Sequence, residues 1–230
     1  MKKAIFCIPT LTKPHQACID SLAACEPILK MNGWESFTVF EIGCPYISAA
    51  RATMLRKALD KEPDAIVFID HDISFQPQDM VKLLNTEGDV IAGTYRYKKD
   101  EEVYMGIIED GVNYLPITRE DGCIKAVSVP AGFLKITPKA VNTFIEKYPE
   151  LCYGSRHKPH IDLFNHGAHE YKWMGEDYMF CKRWIDAGGE VWLVPDLDIS
   201  HHSNDMAYHG NFHNFMLRQP GGSLSAGRIE

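Results

Sequence analysis

No Cys-x-x-Cys pair and no zinc-ligand spacing occurs in the 230 residues, although seven cysteines and ten histidines are present. An odd number of unpaired-looking cysteines excludes a disulfide framework and suits a reducing cytoplasm. Long apolar runs are also missing. The strongest one, Ala65-Ile-Val-Phe-Ile69, is far too short to span a bilayer, so no integral membrane segment is expected. Met1-Lys2-Lys3 is followed by a short apolar run that Pro9 and Thr10 interrupt, which lacks a signal peptide's length and cleavage site. Basic residues are not in excess: Lys and Arg total 24 against 31 Asp and Glu, for a net charge of −7. A groove tracking a polyanion needs the opposite sign, so nucleic acid is not the favoured partner. No internal repeat is visible.

What is present is a chain able to build a core. Hydrophobic residues make up 45% and charged residues 24%, which excludes a disordered polymer. The length suits one domain over residues 1–218, with 219–230, rich in Gly and Ser, as a loose tail.

The first ninety-five residues alternate between strand-like and helix-like patterns. Apolar runs at 3–8, 37–42, 65–69 and 89–93 read as strands. Between them, residues 15–31 have helical spacing and stop at Asn32-Gly33. Ser48 is positioned to cap a helix running to about Lys61, and Pro77 suits the first turn of a third. Repeated strand–helix units imply an α/β fold with a mostly parallel sheet, helices on both faces, and ligands at the carboxyl ends of strands. The second half is mixed. Residues 103–108, 112–116 and 124–129 read as short strands, and Thr137-Pro138 opens a helix ending near Lys147. Residues 152–174 read as a long His- and aromatic-rich loop, Glu176–Ala187 as a helix, and 190–194 as a strand.

Four groups carry possible chemistry. Phe68-Ile69-Asp70-His71-Asp72 ends an apolar strand in two carboxylates. If the extended geometry continues, both point to one side, and a divalent cation would relieve their repulsion. A turn with a helix cap is the plainer alternative. Asp198-Ile-Ser-His201-His202 follows another strand, and an imidazole there would favour Mn²⁺ over Mg²⁺. Glu176-Asp177 opens a helix, where acidic residues serve either as caps or as a general base. Arg51, in the second helix's first turn, is suited to a phosphate or a planar base.

In this order the features resemble the GT-A superfamily of nucleotide-sugar-dependent glycosyltransferases, particularly its small family-2-like, virus-, phage- or bacterium-encoded members. The matching segments are Ile5–Thr10, Ser48-Ala-Ala-Arg51, Val67–Phe75, Asp89–Tyr95 with Lys98, Val129–Phe133, Gly175–Arg183, Ala187-Gly-Gly189 and Ser200–Ser203. The resemblance implies a GT-A fold: a nucleotide-binding half (1–95), and an acceptor and metal half (96–218) with a small antiparallel extension. It implies transfer of a sugar from a UDP- or GDP-linked donor to an acceptor hydroxyl on a glycan, glycoprotein or modified base, with Mn²⁺ or Mg²⁺ as cofactor. Asp70, Asp72 and His201 would hold the metal, with His202 as the alternative imidazole. Pro9, Thr10, Arg51, Asp70, His71 and Lys98 would meet the nucleotide sugar, and Ala131-Gly132 would leave room for its sugar. Asp177, with Glu176, would be the catalytic pair at the acceptor. The loop's His160, Asp162 and Trp173 would form the acceptor wall. Two positions depart from the pattern: Ala52, where relatives often carry Asn, and His202-Ser203, where a Gly often follows the histidine.

Two other functions share parts of this pattern. A sugar nucleotidyltransferase uses the same sheet and carboxylates, but normally with a Gly-rich basic loop after strand one. Pro9-Thr-Leu-Thr-Lys-Pro14 is not such a loop. A non-catalytic nucleotide-sugar-binding module would not need Asp70, Asp72, Asp177 and His201 together.

Overall fold

The computed structural model describes residues 1–112 and 115–219. The chain runs β1 (Lys2–Thr10), α1 (Gln16–Met31), β2 (Trp34–Ile42), α2 (Ile47–Leu59), β3 (Ala65–Ile69), β4 (Ile73–Phe75), α3 (Pro77–Asn85) and β5 (Val90–Ala92). The second half follows as β6 (Ile107–Ile108), β7 (Ile124–Ser128), β8 (Phe133–Ile136), α4 (Pro138–Lys147), β9 (Cys152–Gly154), β10 (Pro159–Ile161), β11 (Gly167–His169) and β12 (Lys172–Met174). It closes with α5 (Glu176–Asp186), β13 (Val191–Leu193), β14 (Asp198–His202), β15 (Ala207–Asn211) and α6 (Phe212–Leu217).

The central sheet has the order β2-β1-β3-β8-β5-β13-β7-β6. Strands β1, β2 and β3 are parallel, as alternation with helices dictates. Strand β8 runs antiparallel between β3 and β5. Only β8 and β7 run against the rest, so the sheet is mixed but mostly of one direction. The architecture is α/β, a mostly one-directional sheet with α2, α4 and α5 on one face and α1 and α3 on the other, as the strand–helix alternation implied.

Alternate residues of each strand feed two cores. Ile5, Cys7, Ile66, Phe68, Leu134 and Ile136 pack with Met54, Leu55, Phe144 and Phe180 from α2, α4 and α5. Phe6, Ile8, Val67 and Ile69 pack with Cys18, Leu29, Met80 and Leu83 from α1 and α3. Each such buried side chain contributes roughly 1.5–3 kcal/mol.

Local signals set several boundaries. Pro77 and Pro138 open their helices, and Thr137 caps α4, its hydroxyl accepting from Ala140 N. Ser48 is not a cap: α2 starts one residue earlier, behind Tyr46, which makes no side-chain capping bond. Residues 152–174 form two small hairpins rather than one structureless loop. The expected strand over 103–108 is reduced to β6. Part of the one over 112–116 falls at residues 113–114, outside the described residues, and its flanks make only the isolated Asp110–Pro116 bridge. The predicted tail also lies outside them from residue 220.

Two pairings position the site. The register Ile69–Phe133 brings Ala131-Gly132 to the carboxyl end of β3. In the three-stranded sheet β15-β14-β4, the register His201–Ile73 brings β14 alongside the turn that follows β3.

Candidate active site

The two carboxylates after β3 do not extend the strand. Ile73 N donates to the Asp70 carbonyl (3.1 Å), closing a turn before β4, and Asp70 N donates to the Gly132 carbonyl (3.0 Å). The turn separates the side chains. Asp70 accepts from Arg51 Nη2 at 3.1 Å and from the Tyr95 hydroxyl at 3.3 Å. Asp72 pairs with the Lys98 ammonium and faces His201 Nε2 at 3.6 Å. The expectation that both acids point to one side therefore fails, because a turn and not extended backbone joins them. Among the described residues, no three His, Cys, Asp or Glu side chains gather into a metal site. Asp70, Asp72 and His201 are not one cluster.

Asp72 and His201 alone remain a chemically apt pair for a divalent cation. His201 Nδ1 lies 2.8 Å from the Arg96 carbonyl, which can only accept, so Nδ1 carries a proton; in the neutral ring Nε2 presents its lone pair, and in the protonated ring Nε2–H faces Asp72. Burial pushes the Asp72 carboxyl up, but hydrogen bonds from His201 and Lys98 outweigh it and hold the group well below the usual carboxylate range. One imidazole nitrogen and one carboxylate oxygen suit Mn²⁺ better than Mg²⁺. His202 points to the opposite side of β14. Its Nε2 lies 2.7 Å from Ser74 Oγ, and its ring stacks on His15 at 4.4 Å.

A cleft of about 420 Å³ opens beside Asp72, lined among others by Lys13, His15, His71, Lys98 and His202; of the two β14 histidines it is His202, not His201, that lines it. Lys13 and His15 went unrecognised in the sequence as site residues; their position just after β1 was the available signal. Thr10 Oγ1 and His71 Nδ1 are buried without a hydrogen-bond partner, and Pro9 is buried beside Thr10 at the end of β1. A larger groove of about 1020 Å³ lies by β15 and α6, where Arg218 pairs with Glu102 and His209 with the Ser200 hydroxyl. None of the network carboxylates lines it.

Arg51, expected at the nucleotide, is buried among carboxylates. It is 2% exposed. Nη2 serves Asp70, while Nη1 lies 3.4 Å from both Glu176 and Asp177, and the guanidinium sits 4.9 Å over the Phe164 ring. Three carboxylates from two distant segments draw this cation into the interior. Asp177 opens α5. Desolvation by burial raises its pKa to about 6 despite Arg51, with Glu176 and Asp70 adding repulsion.

Gly132 is closely flanked. A Cβ there would lie 2.1 Å from the Tyr95 hydroxyl oxygen and 2.5 Å from Asp70 Oδ2. The space that glycine spares is taken by these two side chains. Ala131 is fully buried beside it.

The three acceptor candidates separate. His160 stacks on Tyr153 within the β9–β10 hairpin, whose tip reaches the far end of α2 through Lys158 and Asp60. Asp162 accepts from Asn165 Nδ2 at 2.9 Å and keeps one oxygen buried without a partner. Trp173 is 74% exposed on the β11–β12 hairpin, which leads directly into Gly175 and α5. No described helix is long and apolar enough to cross a membrane.

No family model and no curated protein matches the chain. Solved structures do. The protein A197 from STIV superposes with a TM-score of 0.54 at 19% identity, over 92% of this chain and 95% of that one. The catalytic domain of Drosophila beta1,4galactosyltransferase 7, in complex with xylobiose, reaches 0.49 at 12% identity over 93% and 73%. TarS 1-349 of S. aureus, in complex with UDP, reaches 0.47 at 12% over 84% and 58%. At these identities the likeness is one of fold.

Proposed function

We propose that this chain is a metal-dependent glycosyltransferase that moves a sugar from a UDP- or GDP-linked donor to an acceptor hydroxyl. The observation that carries it is a paired arrangement at one rim of the sheet. Asp72 and His201 turn a carboxylate oxygen and a free imidazole nitrogen toward each other at 3.6 Å. On the other side of Asp70 and Arg51 stands Asp177, a carboxyl with a pKa near 6. A cation-holding pair and a tuned base suit inverting transfer from a nucleoside diphosphate sugar; in retaining transfer Asp177 would position the acceptor and the departing phosphate would take the proton.

Bound Mn²⁺ or Mg²⁺ would supply Lewis-acid stabilisation of the departing diphosphate, held by Asp72 and His201. Every other role falls to the chain. Lys98 moves from Asp72 onto a phosphate oxygen as the charge beside it is neutralised. Thr10 and His71, with buried polar atoms unsatisfied, hydrogen-bond the nucleotide, and Pro9 shapes that edge. Asp177, deprotonated above pH 6, accepts the proton of the attacking hydroxyl while Glu176 shares Arg51 with it. Trp173 offers an aromatic face to the acceptor. All seven cysteines are free thiols, which suits a reducing compartment.

A thermal-shift screen of nucleoside diphosphates and their sugars, with and without Mn²⁺, tests the assignment. A ligand that binds only the native state raises the melting temperature in proportion to occupancy. The expected result is a shift with one nucleotide that grows when Mn²⁺ is present. No metal-dependent shift with any nucleotide overturns it.

A further inference from the structure

We infer that Arg51 is a positioning residue that locks the acceptor-side base Asp177 and the donor-side Asp70 into one unit. This deepens the transferase assignment and depends on it for the roles of those two acids. The geometry itself does not depend on it. Arg51 enters from α2, Asp70 from the turn after β3, and Asp177 from the start of α5, so one guanidinium ties together three separate elements.

The partition of its donors gives the arrangement its function. Nη2 makes the shorter contact, to Asp70 at 3.1 Å. Nη1 is shared between Glu176 and Asp177 at 3.4 Å each, too long for either carboxylate to be held tightly. Asp177 is thus aimed but not neutralised, and keeps its ability to take a proton. The groups facing it are Arg51, Glu176, Asp70 and Tyr95, with the Ala131 backbone amide. Arg51 is the one cation among them. Phe164 covers the guanidinium face, which fixes its plane and keeps bulk water from it. A planar fork is needed here: a lysine ammonium, a single point charge, cannot meet carboxylates in two directions at fixed angles.

Arg51→Lys separates this role from nucleotide contact. The expected result is an unchanged Kd for UDP or GDP with Mn²⁺ and kcat reduced by about 100-fold, the scale of an ångström-level misplacement. The acid limb of the rate profile should move to higher pH, because the cation that favours ionised Asp177 is weakened. A Kd raised about tenfold with kcat retained would make Arg51 a nucleotide contact and overturn the inference. If Arg51→Lys does not fold, combining it with Glu176→Gln and Asp177→Asn leaves Asp70 as the one carboxylate for the lysine to meet, and nucleotide Kd alone is read on that protein: an unchanged value supports the inference and a rise of about tenfold overturns it. If the wild type binds no nucleoside diphosphate, the transferase assignment itself has failed. Carboxyl-carbon NMR then decides the positioning role alone: Arg51→Lys raises the Asp177 titration midpoint if the inference holds, and leaves it unmoved if it does not.

Discussion

His201 Nε2 faces Asp72 Oδ2 at 3.6 Å, with the other nitrogen of the ring committed to the Arg96 carbonyl. A carboxylate oxygen and, in the neutral ring, an imidazole lone pair that face each other suit a divalent cation in place of the Lys98 ammonium that pairs with Asp72. Mn²⁺ is therefore expected to raise the melting temperature of the wild type when a nucleoside diphosphate completes the coordination. Asp72→Ala and His201→Ala should each weaken Mn²⁺ binding by at least about 100-fold, since even outer partners of metal ligands are worth 10–100-fold. His202→Ala should leave metal affinity intact and cost about 1 kcal/mol of stability through the lost Ser74 hydrogen bond. Isothermal titration with Mn²⁺ and UDP or GDP checks all three, and equal losses from His201→Ala and His202→Ala would count against the pair. Affinity should also fall in acid, because the imidazole must be unprotonated to bind.

Asp177 gives opposite expectations for rate and stability. Its pKa near 6 means that transfer should rise through pH 6 and level off above it. Asp177→Asn should lower kcat by about 10²–10⁴-fold, the usual share of a general base. Folding raises this pKa above the ordinary value of 3.8, so the native state favours the protonated acid. The stabilisation that follows is complete below about 3.8 and is lost as pH rises through about 6. Asp177→Asn should therefore be more stable than the wild type at pH 8, by on the order of 1–2 kcal/mol once partial exposure is allowed for, and equally stable at pH 4. Denaturant midpoints at the two pH values measure this.

The elements of the first half were legible because each is a local pattern. The apolar run Ala65–Ile69, Pro77 at a helix start, and Thr137 before Pro138 each state their structure within a few residues. Strand β8 was not legible. Its Phe-Leu-Lys-Ile places a charge in a buried strand, tolerable only because Lys135 donates to the Thr86 carbonyl across the fold. The individual site residues could be listed from the motifs, but their connections could not. Asp177, Arg51, Asp70, Tyr95, His201 and Asp72 form one unbroken series of contacts. Arg51 reads as a phosphate or base contact until the three carboxylates that surround it are known, and Gly132 reads as empty space until Asp70 and Tyr95 are seen beside it.

Gly132→Ala tests that last point. The added methyl meets Tyr95, which is 1% exposed and has no room to withdraw, and displaces Asp70 from Arg51. Overpacking of this kind costs typically about 1–3 kcal/mol. The substitution is expected to lower the denaturant midpoint by that amount and to reduce turnover. If glycine were there only to admit a sugar, stability would be unchanged and only the donor KM would rise.

Trp173 and His160 were grouped as acceptor contacts, and the structure gives them different surroundings. Trp173 belongs to the β11–β12 hairpin, whose turn residues Glu170 (φ 49°) and Tyr171 (φ 66°) both adopt the left-handed conformation usually left to Asn and Gly. The hairpin ends at Gly175, the N-cap of the helix that carries Asp177. An exposed indole so close in sequence to the candidate base is suited to cover the apolar face of a sugar ring. His160 is spent on Tyr153, beside the far half of α2. Aromatic stacking is worth about 0.5–1.5 kcal/mol, so Trp173→Ala should raise acceptor KM by about 2–10-fold in a panel of glycoside acceptors, with the nucleotide Kd unaltered. His160→Ala should change neither. An unchanged acceptor KM in Trp173→Ala, for every glycoside the wild type uses, would remove the hairpin from the acceptor site and turn attention to Asp162, whose buried Oδ1 has no hydrogen-bond partner.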